Sequence, residues 1–105
     1  MAEGLIENQD LFNRKMRDSV SCFRIPALLT AKNGDVLASI DERVPSCADL
    51  RGSKNINIAL RRSSDNGASW SPIEIIVDFP WGESASDPSM ILDEETGSIF
   101  LFYNY

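Results

Sequence analysis

Histidine is absent from this chain of 105 residues. Without it no Ser-His or Cys-His catalytic pair can form within these residues, and most zinc sites lose a principal ligand. The two cysteines, Cys22 and Cys47, are too few for a disulfide scaffold and lack the spacing of a metal site. We therefore expect no metal and no cofactor.

Long apolar runs and an excess of positive charge are missing as well. No run approaches the roughly 20 apolar residues that span a bilayer, and the first residues lack the basic and apolar regions of a signal peptide. The 10 basic and 16 acidic residues give a formal net charge of -6, which opposes binding to nucleic acid or anionic lipid. An anionic ligand would need a local cluster of cations.

The pattern from Cys22 onward predicts an all-β fold. Short runs rich in Ile, Val, Leu and Phe end in turn residues, among them Asn33-Gly34 and the stretch 93–97. The segment 3–18 fits neither a helical nor a strand period, and we expect a strand or an irregular lead-in there. The predicted strands cover residues 23–31, 36–40, 56–60, 73–77, 90–92 and 99–103.

Four antiparallel strands followed by the start of a new pair are typical of one β-propeller blade and the opening of the next. A single blade cannot bury both faces of its sheet, so the sequence predicts a fragment of a larger propeller. Residues 1–21 would be a lead-in segment and residues 22–105 the N-terminal portion of the propeller. The alternative is a complete small β-sandwich.

The Asn33-Gly34 dipeptide predicts a strand register. If these two residues form the hairpin loop, Lys32 faces Asp35 and Arg24 faces Arg43. Opposed like charges destabilise a sheet unless an anion lies between or beside them. The sequence thus predicts an anion site at Arg24, where a carboxylate would match the guanidinium with two oxygens. The alternative is a pair of surface arginines that face water.

The loop 45–52 carries Asp49, and such loops commonly hold catalytic side chains. The alternative is a solvated loop aspartate. Cys22 and Cys47 lie diagonally across the same strand end in the predicted register, so a disulfide is geometrically possible, and free buried thiols are equally plausible.

Several motifs resemble one known family. Phe23-Arg24-Ile25-Pro26 resembles the Phe/Tyr-Arg-Ile-Pro motif that opens the catalytic domain of sialidases, and residues 63–70 match their Asp-box repeat, Ser-x-Asp-x-Gly-x-x-Trp. Asp41-Glu42-Arg43 and Asp49 fall where the family has a second arginine and its acid/base aspartate. Asp87-Pro88 resembles an aspartate near the sugar's 4-hydroxyl and N-acetyl groups. These features lie in the family's order between residues 22 and 105.

The resemblance implies the first blade and the start of the second blade of a six-bladed propeller. The implied activity is that of an exo-α-sialidase, which hydrolyses terminal sialic acids of glycoconjugates by a retaining mechanism. Asp49 would be the catalytic acid/base, while Arg24, Arg43 and Asp87 would bind the substrate. Trp81 would either line the acyl pocket of the sugar or pack within its loop.

Other parts of the implied machinery lie outside this chain. The nucleophilic tyrosine of the family comes much later, so Tyr103 and Tyr105 are interpreted as strand residues. The resemblance implies that the rest of the propeller is required, that a sialylated glycan is the substrate, and that a secreted or periplasmic location is favoured. The competing hypotheses are a non-catalytic sialic-acid-binding propeller and a protein-binding Asp-box propeller.

Overall fold

The computed structural model describes residues 9–47 and 55–105, and within them regular structure is almost entirely β. Four strands form one antiparallel sheet in sequence order, and two strands form a second sheet. The predicted strands are confirmed. No helix among these residues is long and apolar enough to cross a membrane. A short 3-10 turn at Arg14–Met16 precedes β1 Cys22–Thr30, β2 Val36–Val44, β3 Asn55–Ser63, β4 Glu74–Val77, β5 Ser86–Leu92 and β6 Ile99–Asn104.

The core lies on the two central strands, β2 and β3. Both are buried over most of their length because other elements cover each face, as in a sheet with no solvated side. The second sheet packs on one face through β5, and the N–H of Ala85 donates to the carbonyl of Ile56 at 2.8 Å. The buried apolar residues are Val20, Leu37, Ala38, Ile40, Ile56, Ile58, Ala59, Leu60 and Ala85.

The lead-in segment packs on the opposite face of the first sheet. The ring of Phe12 lies 5.4 Å from that of Phe23. Arg17 forms an ion pair with Glu42, with 2.7 Å between Nε and Oε2, and Asn57 contacts the same carboxylate at 3.4 Å. Since Phe23 and Glu42 face each other across the strands, these contacts fall on one side of the sheet.

The hairpin between β1 and β2 differs from the predicted two-residue loop. The N–H of Ala31 donates to the carbonyl of Asp35 at 2.7 Å, and the N–H of Gly34 donates to the carbonyl of Ala31 at 3.0 Å. Gly34 has a φ of 94°. The loop therefore has three residues, 32–34, with the glycine in the left-handed position that closes such a loop. The predicted pairing of Lys32 with Asp35 is wrong.

A bulge at Ile25-Pro26 shifts the partners by a further residue. Proline has no N–H for the ladder, and Ile25 has a φ of 61°, outside the extended region. Arg24 consequently faces Asp41, and Cys22 faces Arg43. The predicted opposition of Arg24 and Arg43 is wrong, and so is the inference that their mutual repulsion requires an anion.

The Asp-box closes the turn after β3. The hydroxyl of Ser63 donates to Asp65 at 2.7 Å and accepts from the N–H of Gly67 at 2.8 Å. Asp65 also accepts from the N–H of Ser69 at 2.8 Å and from the hydroxyl of the same residue. The bonds from Ser69 and Ser63 lower the pKa of Asp65 to about 2. The box is thus a turn-stabilising element.

Candidate active site

The buried carboxylate of Asp41 lies at the centre of the candidate site. Its side chain has no exposed surface. Oδ2 accepts a hydrogen bond from Nη2 of Arg43 at 2.9 Å, and Oδ1 accepts one from the backbone N–H of Asp87 at 2.9 Å. Arg24 faces Asp41 from β1. One side chain therefore bonds to residues of β2 and β5 and lies opposite a residue of β1.

Opposing influences act on the Asp41 carboxyl. Burial raises its pKa above the ordinary value, because the charged form loses water. The hydrogen bonds from Arg43 and from the N–H of Asp87 lower this pKa, and the nearby carboxylate of Asp87 raises it. Burial outweighs the hydrogen bonds, so the pKa remains raised.

Arg43 is itself buried, with 2% of its surface exposed. Besides Asp41, its guanidinium reaches the carbonyl of Cys47, with 3.2 Å between Nη1 and the oxygen. Cys47 forms a disulfide with Cys22, and their Cα atoms lie 5.5 Å apart. Of the two possibilities for the cysteines, the structure has the disulfide. The bridge joins the segment after β2 to the strand that carries Arg24.

Asp87 lies on a second bulge, at the start of β5. Like Ile25 it precedes a proline and has a positive φ, here 56°. Its side chain is held by Asn104 of β6, with 2.9 Å between Nδ2 and Oδ2. Non-glycine residues rarely adopt this conformation, and such strained positions concentrate at functional sites. The two X-Pro bulges lie on β1 and β5, which contact each other.

The structure thus brings three of the predicted site residues together: Arg24, Arg43 and Asp87. Arg24 is exposed while Arg43 is buried, so the two arginines present different surfaces. Asp49 lies outside the described residues, and its role stays a prediction.

Trp81 lies at the tip of a turn outside this hydrogen-bonded cluster and has 61% of its surface exposed. The N–H of Glu83 donates to the carbonyl of Pro80 at 3.0 Å, and Gly82 takes a φ of 96°. The side-chain amide of Asn55, at the start of β3, donates to three carbonyls of this loop, at 2.9 Å for Phe79, 3.3 Å for Pro80 and 3.0 Å for Glu83. The turn presents an exposed indole on a well-anchored loop.

Tyr105 donates a hydrogen bond from its hydroxyl to Glu83. Here the hydrogen bond to Glu83 and the charge of that carboxylate raise the pKa of Tyr105, which disfavours the phenolate. The sequence predicted Tyr103 and Tyr105 to be strand residues; Tyr103 lies in β6, whereas Tyr105 lies just beyond the last residue of that strand, Asn104.

The sequence interpretation assigned no function of their own to two members of the site, Asp41 and Asn104. The available signal for Asp41 was its position two residues before Arg43 on one strand, which puts both side chains on the same face. Asn104 gave no such signal, because its contact with Asp87 depends on the pairing of β5 and β6.

Curated relatives named sialidase match most of this chain. One from Micromonospora viridifaciens is 38% identical over 98% of the chain and 16% of the relative's length. A sialidase from Bacteroides fragilis is 31% identical over 80% of the chain and 16% of the relative. Sialidase-2 of Rattus norvegicus is 31% identical over 94% of the chain and 26% of that protein. The chain therefore spans only a small part of these relatives.

Solved structures show the same likeness in three dimensions, although no family model matches the sequence. The NanB sialidase of Streptococcus pneumoniae superposes with a TM-score of 0.79 at 29% identity, over 90% of this chain and 17% of that one. A leech intramolecular trans-sialidase in complex with 2,7-anhydro-Neu5Ac gives a TM-score of 0.80 at 27% identity, over 95% and 18%. The chain belongs to the sialidase family and forms an all-β part of its β-propeller.

Proposed function

We propose that this chain supplies the sialic-acid-binding side of a retaining exo-α-sialidase, within a longer protein that also provides the rest of the propeller. The observation that carries the proposal is the convergence of Arg24, Arg43 and Asp87 around buried Asp41, where β5 packs on the first sheet. The substrate would be a glycan or glycoconjugate with a terminal sialic acid. Residues 22–105 would form the propeller portion, with residues 1–21 as its lead-in.

The exposure of the two arginines supports a division of roles. Arg24 is exposed and lies next to the bulge at Ile25, so its guanidinium suits a carboxylate that arrives from solvent. Arg43 is buried and already bound to Asp41 and to the carbonyl of Cys47. It would support the neighbouring aspartates and lie on the 4-hydroxyl side of the sugar, next to Asp87.

Asp49 would act as general acid and then as general base. It would protonate the leaving oxygen and afterwards activate the water that releases the sugar. This role requires a raised pKa, which burial beneath the bound ligand would supply. Asp49 is two residues from Cys47, whose disulfide and hydrogen bond from Arg43 tie this end of the loop to the cluster.

The nucleophile would be a tyrosine beyond residue 105, deprotonated by a glutamate. Sialic acid carries a carboxylate at its anomeric carbon, which repels an anionic nucleophile as it approaches. A neutral tyrosine avoids that repulsion until the proton leaves. Because the catalytic pair would lie beyond residue 105, we expect the isolated 105 residues to be inactive.

The test uses the full-length protein and two substrates, a natural sialoside and a sialoside with an activated phenol leaving group. Asp49→Ala should lose kcat/KM on the natural substrate about 100-fold more than on the activated one, since an activated phenol needs little protonation. Asp78→Ala, which changes an exposed loop aspartate after β4, is the matched control and should keep both rates. Equal losses on both substrates would contradict the role of Asp49, and binding without turnover by the wild type would favour a non-catalytic propeller.

A further inference from the structure

We infer that Asp41 is a positioning residue that holds two substrate-binding groups of adjacent sheets, the Arg43 guanidinium and the backbone at Asp87, in one fixed arrangement. This inference rests on the proposed function and adds to it a residue with no expected contact to the substrate. Each carboxylate oxygen of Asp41 accepts one hydrogen bond. Oδ2 accepts from Nη2 of Arg43 and Oδ1 accepts from the backbone N–H of Asp87, each at 2.9 Å.

Complete burial makes these two bonds strong and their loss costly. A fully buried carboxylate without partners is unfavourable, whereas one that accepts charge-assisted hydrogen bonds is held in a single geometry. Three charged groups face Asp41: Arg43 on its own strand, Arg24 on β1 and Asp87 on β5. The hydrogen bonds from Arg43 and from the N–H of Asp87 favour the ionised, double-acceptor form and oppose the burial that raises the pKa of Asp41.

Oδ1 of Asp41 stabilises an unusual backbone conformation at Asp87. Asp87 has a φ of 56° and precedes Pro88, so its own conformation is strained. The hydrogen bond to Asp41 compensates for that strain and fixes the position of the Asp87 backbone. Asn104 holds the carboxylate of the same residue, with 2.9 Å between its Nδ2 and Oδ2 of Asp87.

The chain offers a matched control one residue away. Glu42 is also buried, with 1% of its surface exposed, and is also paired with an arginine, Arg17. Successive residues of a strand point to opposite faces, so Glu42 lies on the side of the lead-in segment and away from the cluster. Replacing either carboxylate by its amide removes one buried charge of the same strand, but only Asp41 holds the site.

The experiment compares Asp41→Asn with Glu42→Gln in the full-length protein. We expect both variants to melt at a lower temperature. Only Asp41→Asn should raise KM and the inhibition constant of 2-deoxy-2,3-didehydro sialic acid, by about 10- to 100-fold, the range for a lost charge-assisted hydrogen bond. Glu42→Gln should stay within about twofold in both constants. Equal kinetic effects of the two variants would overturn the inference.

Hydrogen exchange gives a readout that does not depend on activity. The Asp87 amide should exchange at least about tenfold faster in Asp41→Asn than in the wild type, and at the wild-type rate in Glu42→Gln. Unchanged exchange would overturn the positioning role even if the kinetics change. Faster exchange in a protein that cleaves no sialoside would instead contradict the proposed function and leave the positioning role supported. If Asp41→Asn does not fold, Arg43→Lys removes the guanidinium bond to Oδ2 and should speed exchange of the Asp87 amide, and unchanged exchange would overturn the inference.

Discussion

The backbone N–H of Asp87 donates a 2.9 Å hydrogen bond to Asp41, 46 residues earlier in the chain. This bond joins the second sheet to the first at the point where the predicted substrate-binding residues meet. It ties the stability of the contact between the two sheets to the geometry of the candidate site.

The disulfide should stabilise the fold and the site together. Removing it with the double variant Cys22→Ser/Cys47→Ser should lower the free energy of unfolding by about 3 kcal/mol, since the bridge closes a loop of 25 residues. Thermal melts with and without a dithiol reductant provide the measurement. The reductant should lower the melting temperature of the wild type and leave that of the double variant unchanged. A wild type that is insensitive to complete reduction would argue against the stabilising bridge.

Asp65 should make the Asp-box sensitive to acid. Its pKa is lowered to about 2 in the folded chain, so its contribution to stability is fully present above the ordinary carboxyl value of 3.8. That contribution is lost as the pH falls from 3.8 through about 2. In melts across this interval, Asp65→Asn should show a shallower decline than the wild type. Parallel declines would mean that the bonds from Ser63 and Ser69 do not favour the ionised form.

The ion pair between Arg17 and Glu42 should anchor the lead-in segment. Glu42 has 2% of its side chain exposed and Arg17 has 40%, so Arg17→Ala leaves a buried carboxylate with reduced compensation. We expect a loss of about 1–3 kcal/mol, smaller than for a fully buried pair because solvent screens Arg17. Denaturant unfolding measures it.

The matching double variant, Arg17→Ala/Glu42→Gln, removes the buried charge and should recover part of that loss. A double variant no more stable than Arg17→Ala would show that the uncompensated carboxylate is not the cause.

The strand pattern could be predicted because each strand ends in local turn chemistry, at residues 32–34, 63–69 and 93–97. The register could not. Asn33-Gly34 suits a two-residue loop and also the last two positions of a three-residue loop, and only the backbone conformation of Gly34 distinguishes them. The bulge at Ile25-Pro26 added a second shift, since a proline in a strand signals an interruption without fixing its size.

The candidate site could be predicted only as a set of residue types. Motifs of the family resemblance identified three of its residues: Arg24, Arg43 and Asp87. They did not identify Asp41, because its importance comes from complete burial beneath β5, and that contact between sheets leaves no local pattern. Arg24 is an exposed arginine opposite a buried carboxylate and not one of two opposed arginines, as the predicted register had it.

The central claim is that Arg24 binds the carboxylate of the sugar. Its most direct test measures how strongly the full-length protein prefers 2-deoxy-2,3-didehydro sialic acid over the methyl ester of that compound, in the wild type, Arg24→Ala and Arg62→Ala. Arg62 is an exposed arginine next to the Asp-box, 3.7 Å from Asp35, and serves as the control. We predict that Arg24→Ala loses at least about tenfold of the preference for the acid, the scale of a charge-assisted bidentate contact, and that Arg62→Ala keeps it. An unchanged preference in Arg24→Ala would contradict the account.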